Sequence, residues 1–354
     1  MRSRPARVFL ASVIATLALA SEGYAQAIPE GYSITHINGG VYRALNNNHG
    51  TVFLVTEEGI VLADPVNTDF AIWLKREFDE RFGVPVRYVV YSHYHWDHAS
   101  GGDVFSETAQ YVGHANMLSH LTMPPASTTL SEVLGQYAPV AAMDANGNGV
   151  IEGSEIGPDF RRYPGSEKSQ FVGFDANEDG VLDGAEVKRG PISFVRPPNL
   201  TYADELEITL GGKRVNMTWV GEMNHSMDSS LITFPDDSVM YVVDYVTFGR
   251  VPNKDMDYEL GMFDEWMAAI VEAEQLAADY DYVATGHGPV GTRENVTAWR
   301  DYMEKMRDLV AAGIAAGQSV EEMQRDIDME EYSHWADFEW VDLNVLGMYH
   351  FLTD

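Results

Sequence analysis

Three histidines and one aspartate fall within six residues, His93-Tyr94-His95-Trp96-Asp97-His98, and no other feature constrains the fold of this chain as tightly. The run begins where Val86 to Tyr91, a β-branched strand, comes to its end. Alternate residues of an extended segment point the same way, so His93 and His95 can converge on one ion while the following turn carries Asp97 and His98 to a second. Imidazole and carboxylate are suitable zinc ligands, and neither core packing nor surface decoration concentrates them in this way. The chain contains no cysteine, so any metal is held by nitrogen and oxygen, and no disulfide staples the fold.

The flanking sequence supplies an α/β frame for this run. Gly39 to Leu45, Thr51 to Thr56 and Gly59 to Ala63 read as short strands, Asp64-Pro65 closes the third, and Phe70 to Phe82 carries helical apolar spacing. Strand, helix, strand is the alternation of an α/β protein. Strand-like runs return at Leu206 to Leu210, Val215 to Val220, Ser230 to Phe234 and Val239 to Val243. Phe263, Trp266, Met267 and Ile270 then mark one face of a helix, and Tyr282 to Thr285 is a last short strand before Gly286-His287-Gly288. Helices close the chain, one of them opened by Ser319 with Glu322 at capping-box spacing.

Taken in order, these motifs resemble the metallo-β-lactamase superfamily, whose signature is the H-x-H-x-D-H run. Asp64 matches the aspartate that ends an early strand and braces the metal loop, and His225, within Gly221-Glu222-Met223-Asn224-His225-Ser226-Met227-Asp228, matches the third histidine. Asp244, after the Val239 strand, matches the metal-bridging aspartate, and His287 matches the last histidine. The resemblance implies an αββα sandwich of two sheets flanked by helices. It also implies one zinc site from His93, His95 and His225, another from Asp97, His98 and His287, and Asp244 between them. Two zinc or similar ions so held can share a hydroxide, because a bound divalent metal brings the pKa of water from 15.7 towards about 7. Asp97 is then the catalytic side chain, orienting that nucleophile and passing a proton to the leaving group. The expected reaction is hydrolysis of a small carbonyl substrate, a lactone or β-lactam type of cyclic ester or amide. A phosphodiesterase of the same fold is the alternative within the family.

Departures from relatives bear on the substrate. The β-lactamase subclass with a cysteine ligand is excluded, since Asp244 stands in that place, and Thr247 stands where quorum-signal lactonases carry a helper tyrosine. Tyr245 and Arg250 are possible substitutes, and Tyr94 and Trp96, inside the motif, are expected to wall the pocket. His114 and His120 read as hydrogen-bonded structural histidines, and His36, His49, His334 and His350 have no spacing to argue from.

Between about Met123 and Pro198 the texture changes to Gly, Asp, Asn and Pro, and two loops repeat each other, Asp144 to Glu155 and Asp175 to Glu186. Asp144, Asn146, Asn148, Val150, Glu152 and Glu155 occupy the ligand positions of a calcium-binding EF-hand loop, and Asp175, Asn177, Asp179, Val181, Asp183 and Glu186 repeat them. Gly149 and Gly180 sit where the loop must turn sharply, and Ile151 and Leu182 can join the loops through a short β contact. The loops start only 31 residues apart, with Pro158 and Pro164 between them, so the flanking helices must be short. Two bound calcium ions with a structural role are expected. A calcium-dependent binding protein with a vestigial hydrolase domain is the alternative outside the enzyme class, disfavoured by the complete ligand set.

The expected organisation is a signal peptide at 1–27, a first hydrolase part at 28–122, the EF-hand insertion at 123–198, and a second hydrolase part with C-terminal helices at 199–354. Arg2, Arg4 and Arg7 form a basic leader, Val8 to Ala20 a 13-residue apolar run, and Ala18, Ala20, Ala25 and Ala27 offer cleavage sites. A membrane span needs roughly 20 apolar residues, so this run predicts export to the periplasm or beyond, with no stable membrane association after cleavage. A formal net charge of −31 repels polyanions, which excludes nucleic acid as an expected partner and leaves a small-molecule substrate.

Overall fold

The computed structural model of the protein describes residues 29–157, Phe160 and residues 167–354. The leader expected at 1–27, and Pro158 and Pro164, lie outside the described residues. The first half runs β1 (Tyr32–Asn38), β2 (Val41–Asn46), β3 (His49–Thr56), β4 (Gly59–Ala63), α1 (Thr68–Arg81), β5 (Val86–Val90), α2 (Trp96–Ala99), β6 (Gln110–His114) and α3 (Met117–Leu121). The strand expected from Gly39 begins at Val41 instead, because Gly39, at φ +53°, and Gly40 form the turn into it. Strand β1 was not legible, since it buries no residue fully and is held by its antiparallel pairing to β2. Helix α1 starts two residues before the apolar face does: the Asn67 side chain accepts from the Phe70 N–H and caps it.

Between the halves lie α4 (Ala138–Ala141), β7 (Ile151–Glu152), α5 (Glu167–Phe174), β8 (Val181–Leu182) and α6 (Gly184–Arg189). The expected contact is present: β7 and β8 pair antiparallel with Ile151 opposite Leu182. Gly149 and Gly180 take φ of +90° and +85°, backbone that favours glycine. Val133, Tyr137, Val140, Ile151, Phe171, Phe174, Leu182 and Val187 form a separate small core. Ile192 and Val195, placed in the insertion by composition, already pack with α1 and β5 in the first half.

After β9 (Leu200–Tyr202) come β10 (Glu205–Leu210), β11 (Lys213–Trp219), β12 (Ser230–Phe234), β13 (Val239–Val242), α7 (Phe263–Leu276), β14 (Tyr282–Thr285), α8 (Arg293–Ala315), α9 (Val320–Asp326) and α10 (Val341–Thr353). Among the described residues, one sheet has the order β1-β2-β3-β4-β5-β6-β9 and a second the order β10-β11-β12-β13-β14. Strands β4, β5, β6 and β9 are mutually parallel, and β13 pairs parallel with β14. The sheets face each other across Val52, Leu54, Val61 and Val90 on one side and Val215, Met217, Ile232 and Tyr241 on the other. Phe70, Leu74 and Phe78 of α1 cover the outer face of the first sheet. Trp266 and Ile270 of α7, Trp299 and Met303 of α8, and Val345 and Met348 of α10 cover the second. Helix, sheet, sheet, helix is the mixed α/β sandwich expected. Among the described residues no helix is long and apolar enough to cross a membrane.

Candidate metal centre

The centre lies where β4, β5, β13 and β14 end together, so the C-terminal ends of these strands deliver most of its side chains, and the β11–β12 loop delivers His225. Asp64 follows β4 at φ +51° and is fully buried; its Oδ1 accepts from the Ser92 N–H at 2.8 Å, tying the start of the histidine run to the strand end. Tyr241 Oη lies 3.4 Å from its Oδ2, and His98 Nδ1 3.8 Å away. Burial pushes the Asp64 carboxyl up to about 6, against the pull of His98 and the Ser92 hydrogen bonds. This is the bracing position anticipated from the sequence.

Two groups of ligating atoms each lie within 4.8 Å of one another: His93, His95, His225 and Asp244, and Asp97, His98, Asp244 and His287. Asp244 belongs to both. In the first group His93 Nε2 stands 3.2 Å from His225 Nε2, and Asp244 Oδ2 lies 3.6 and 3.5 Å from these two nitrogens. The Ser92 hydroxyl, 2.9 Å from His93 Nδ1, occupies that ring's other nitrogen. In the second group His98 Nε2 stands 3.1 Å from His287 Nε2 and 3.2 Å from Asp244 Oδ2. His287 Nδ1–H donates to the Asn48 carbonyl at 3.1 Å, so Nε2 is the nitrogen that faces the site. Asp244 takes φ +67° after β13, and a methyl group on Gly286 would meet Asp244 Oδ1 at 2.9 Å and His98 Cε1 at 2.8 Å. Glycine before His287 is therefore a requirement of the site.

Burial pushes His93 well below the usual imidazole range, with His95 and His225 adding to it, and burial with His225 takes His95 down to about 3. Burial opposes protonation of His98 and His287 as well, yet Asp244, with Asp97, outweighs it and raises both. Burial also works against ionising Asp97 and Asp244, but His98 first and His287 next hold both carboxyls well below their ordinary range. Facing nitrogens 3.1 and 3.2 Å apart, and a buried Asp244 Oδ1 without a hydrogen bond, form an arrangement that divalent cations satisfy and protons alone satisfy poorly. The donor set, nitrogen and oxygen without sulfur, suits zinc or a similar ion.

All seven expected ligands come together. Of the expected substrate residues, Tyr245 and Arg250 do not join them. Tyr245 has no exposed surface and packs in the core beside Trp266, whose indole N–H donates to the Tyr245 carbonyl at 2.9 Å, so it cannot touch substrate. Arg250 is engaged by the Asp337 carboxylate and lies over the Trp340 ring, which ties its charge to the C-terminal segment. Trp96 packs between the first-half core and the small separate core around Ile151 and Leu182. Tyr94 does line the site, 4.7 Å from the His95 ring and stacked at 4.0 Å on His120. His114 is structural as expected, stacked on Trp219 with Nε2 2.6 Å from the Ala203 carbonyl.

Two further contributions were not legible. His49 Nε2 lies 3.4 Å from Asp97 Oδ2, and its ring 4.7 Å from that of His287. From the far end of the chain, Asn344 donates to the Pro252 carbonyl at 3.1 Å and to that of Lys254 while accepting from Tyr302 Oη at 2.6 Å. The loop so held receives the Asn224 side chain at the Met256 carbonyl, 3.0 Å, next to His225. No spacing rule links these positions to the motif.

A family model described as the metallo-β-lactamase superfamily matches residues 46–287, which holds every member of the two groups. No curated protein sequence matches the chain. Among solved structures, a metallo-β-lactamase from Pontibacter korlensis is 15% identical, with 77% of this chain and 99% of that one covered and a TM-score of 0.49. The stereoselective inverting sec-alkylsulfatase Pisa1 from Pseudomonas sp. is 14% identical, with 90% of this chain covered and a TM-score of 0.57. A double mutant of that sulfatase gives 15%, 91% and 0.60. The present chain spans about half the length of the sulfatase, 50% in both cases. At such identities the likeness is one of fold.

Proposed function

Because this chain belongs to the metallo-β-lactamase superfamily, whose members are generally metal-dependent hydrolases, we propose that it is an exported dinuclear zinc hydrolase of a lactone- or β-lactam-type cyclic ester or amide. The observation that carries this reading is the pair of ligand groups joined by Asp244. Two divalent ions held there would supply Lewis acidity and water of lowered pKa. The chain's own residues divide the remaining work. His93, His95 and His225 hold one end of the site and Asp97, His98 and His287 the other, while Asp64 keeps the histidine run seated on β4. Asp97 is the carboxylate nearest solvent, 16% exposed against 9% for Asp244 and none for Asp64, and so the one able to take a proton from the reacting atoms and return it to the leaving group. Tyr94, with His120 behind it, offers an apolar wall to the substrate.

The same reading gives the loops Asp144 to Glu155 and Asp175 to Glu186 one calcium ion each. In support, the Asp144 carboxylate accepts from the Gly147, Asn148 and Gly149 N–H groups, which winds the first loop around its leading acid. The Asp175 carboxylate accepts from Gly180 in the second loop. Export rests on the basic and apolar leader, and the acidity of the chain argues against polyanionic substrates.

The test is elemental analysis of mature protein, expected to give about two transition-metal and two calcium ions per chain, followed by a hydrolysis screen. Lactones, β-lactams, sec-alkyl sulfates and phosphodiesters are offered, with His95→Ala as control. Turnover of a cyclic ester or amide that His95→Ala abolishes supports the reading; a single iron, or turnover confined to sulfates or phosphodiesters, overturns it.

A further inference from the structure

His49 stands beside the centre without belonging to either ligand group. It opens β3 and is one quarter exposed, its Nε2 3.4 Å from Asp97 Oδ2. The backbone on either side of it is docked against the opposite half of the site. Asn48 O accepts from His287 Nδ1–H, the Gly50 N–H donates to the Gly286 carbonyl at 2.7 Å, and Gly50 O accepts from Tyr241 Oη at 2.7 Å. The position of the His49 ring is therefore set by the same segment that orients His287, and its edge-to-face contact with the His287 ring at 4.7 Å limits its rotation. The same Asp97 Oδ2 lies 3.4 Å from His287 Nε2 and 3.7 Å from His98 Nε2, so His49 reaches the oxygen that faces the second ligand group and bears on how the carboxylate turns about its soft last torsion. Asp97 lies on α2, a single turn of helix, which by itself does little to fix that torsion.

We propose that His49 is a positioning residue for Asp97, its Nε2–H donating to the carboxylate and fixing how Asp97 faces the second ligand group. The inference rests on the two-ion reading above. It does not require His49 to touch substrate or metal, and it ascribes to the start of β3 and the turn before it two outer contacts in the second group, the Asn48 carbonyl on His287 and the His49 imidazole on Asp97.

The experiment uses the zinc-loaded full mature chain, titrated with a competing chelator while bound ions are counted, and repeats the titration on cobalt-substituted protein followed by its visible absorption. Loss of an outer partner typically weakens metal affinity about 10–100-fold. In His49→Ala one of the two ions is expected to leave at about 10–100-fold lower chelator strength, with the other ion and the metal-free melting temperature unchanged. His49→Gln, which keeps a donor of similar reach, should stay close to the parent, whereas His49→Asn, with a shorter amide, should follow Ala. Ions leaving His49→Ala as they leave the parent would overturn the proposal. So would a Gln variant as weak as Ala accompanied by an altered cobalt spectrum, which would make the imidazole itself a ligand. A parent that never holds two ions overturns the two-ion reading instead, and is told apart because the variants then have no second step to lose.

Discussion

The segment around Ile151 and Leu182 has a small core of its own, and its stability is expected to be separable from that of the metal centre. Ile151 is fully buried there, opposite Leu182 in the short β pair. Ile151→Ala removes three carbons, about 2.4 kcal/mol at about 0.8 per buried group, and the cavity left behind brings the expected cost to about 2–5 kcal/mol. Calcium acting as proposed works in the opposite direction. At a hundred times Kd each ion stabilises the folded loops by about 2.7 kcal/mol, so two independent ions offset most or all of that loss. Limited proteolysis at low protease concentration reads the population of the opened insertion when reclosing is fast. The variant in excess calcium should therefore be cleaved within 123–198 no faster than the parent is in chelator. In chelator, the loss of about 2.4 kcal/mol or more should speed cleavage roughly fifty-fold or more relative to the parent under the same conditions. Trp96 leans on this core from within the histidine run, so transition-metal content is measured alongside. It should stay constant in calcium. Equal protease sensitivity of variant and parent in chelator would refute the independent core, and equal protection with and without calcium would refute the ion's structural role.

Two further outcomes follow from the site. Asp244→Ala removes the carboxylate shared by both groups and should lower the bound transition metal from about two ions towards one, with loss of hydrolysis; parental metal content by elemental analysis would show that Asp244 does not bridge. Asp228 is buried beside Ser226 with its Oδ2 unpaired, and burial pushes its carboxyl up to about 7. The folded chain thus keeps a proton that the unfolded chain has released above about 4, so this group's contribution is complete below pH 4 and is lost as pH rises towards 7. In protein freed of transition metal, the stability of the parent relative to Asp228→Asn should therefore fall with a slope of up to about 1.4 kcal/mol per pH unit in that window. A difference that denaturant melts find independent of pH there would place the Asp228 pKa near its ordinary value.

Features whose physics is local were legible in the sequence. The histidine run follows a strand, and side-chain alternation along an extended segment suffices to aim His93 and His95 together. The order of Asp64, His225, Asp244 and His287 along the chain carried the bracing aspartate and the remaining candidate ligands through family resemblance. The repeated loops likewise contain their own instructions, since the acids, glycines and the Ile151–Leu182 pair all lie within short spans. Only the tertiary structure decided how these pieces are braced and what surrounds them. Tyr245 sits next to Asp244 in sequence yet is fully buried in the core that α7 covers, beside Trp266. Arg250 was claimed by Asp337, far along the chain. His49 reached Asp97 only because β3 pairs beside β4 in the first sheet and docks against the Gly286-His287 segment of the second. Such contacts join residues tens to hundreds of positions apart, and in a single sequence no period or spacing records them.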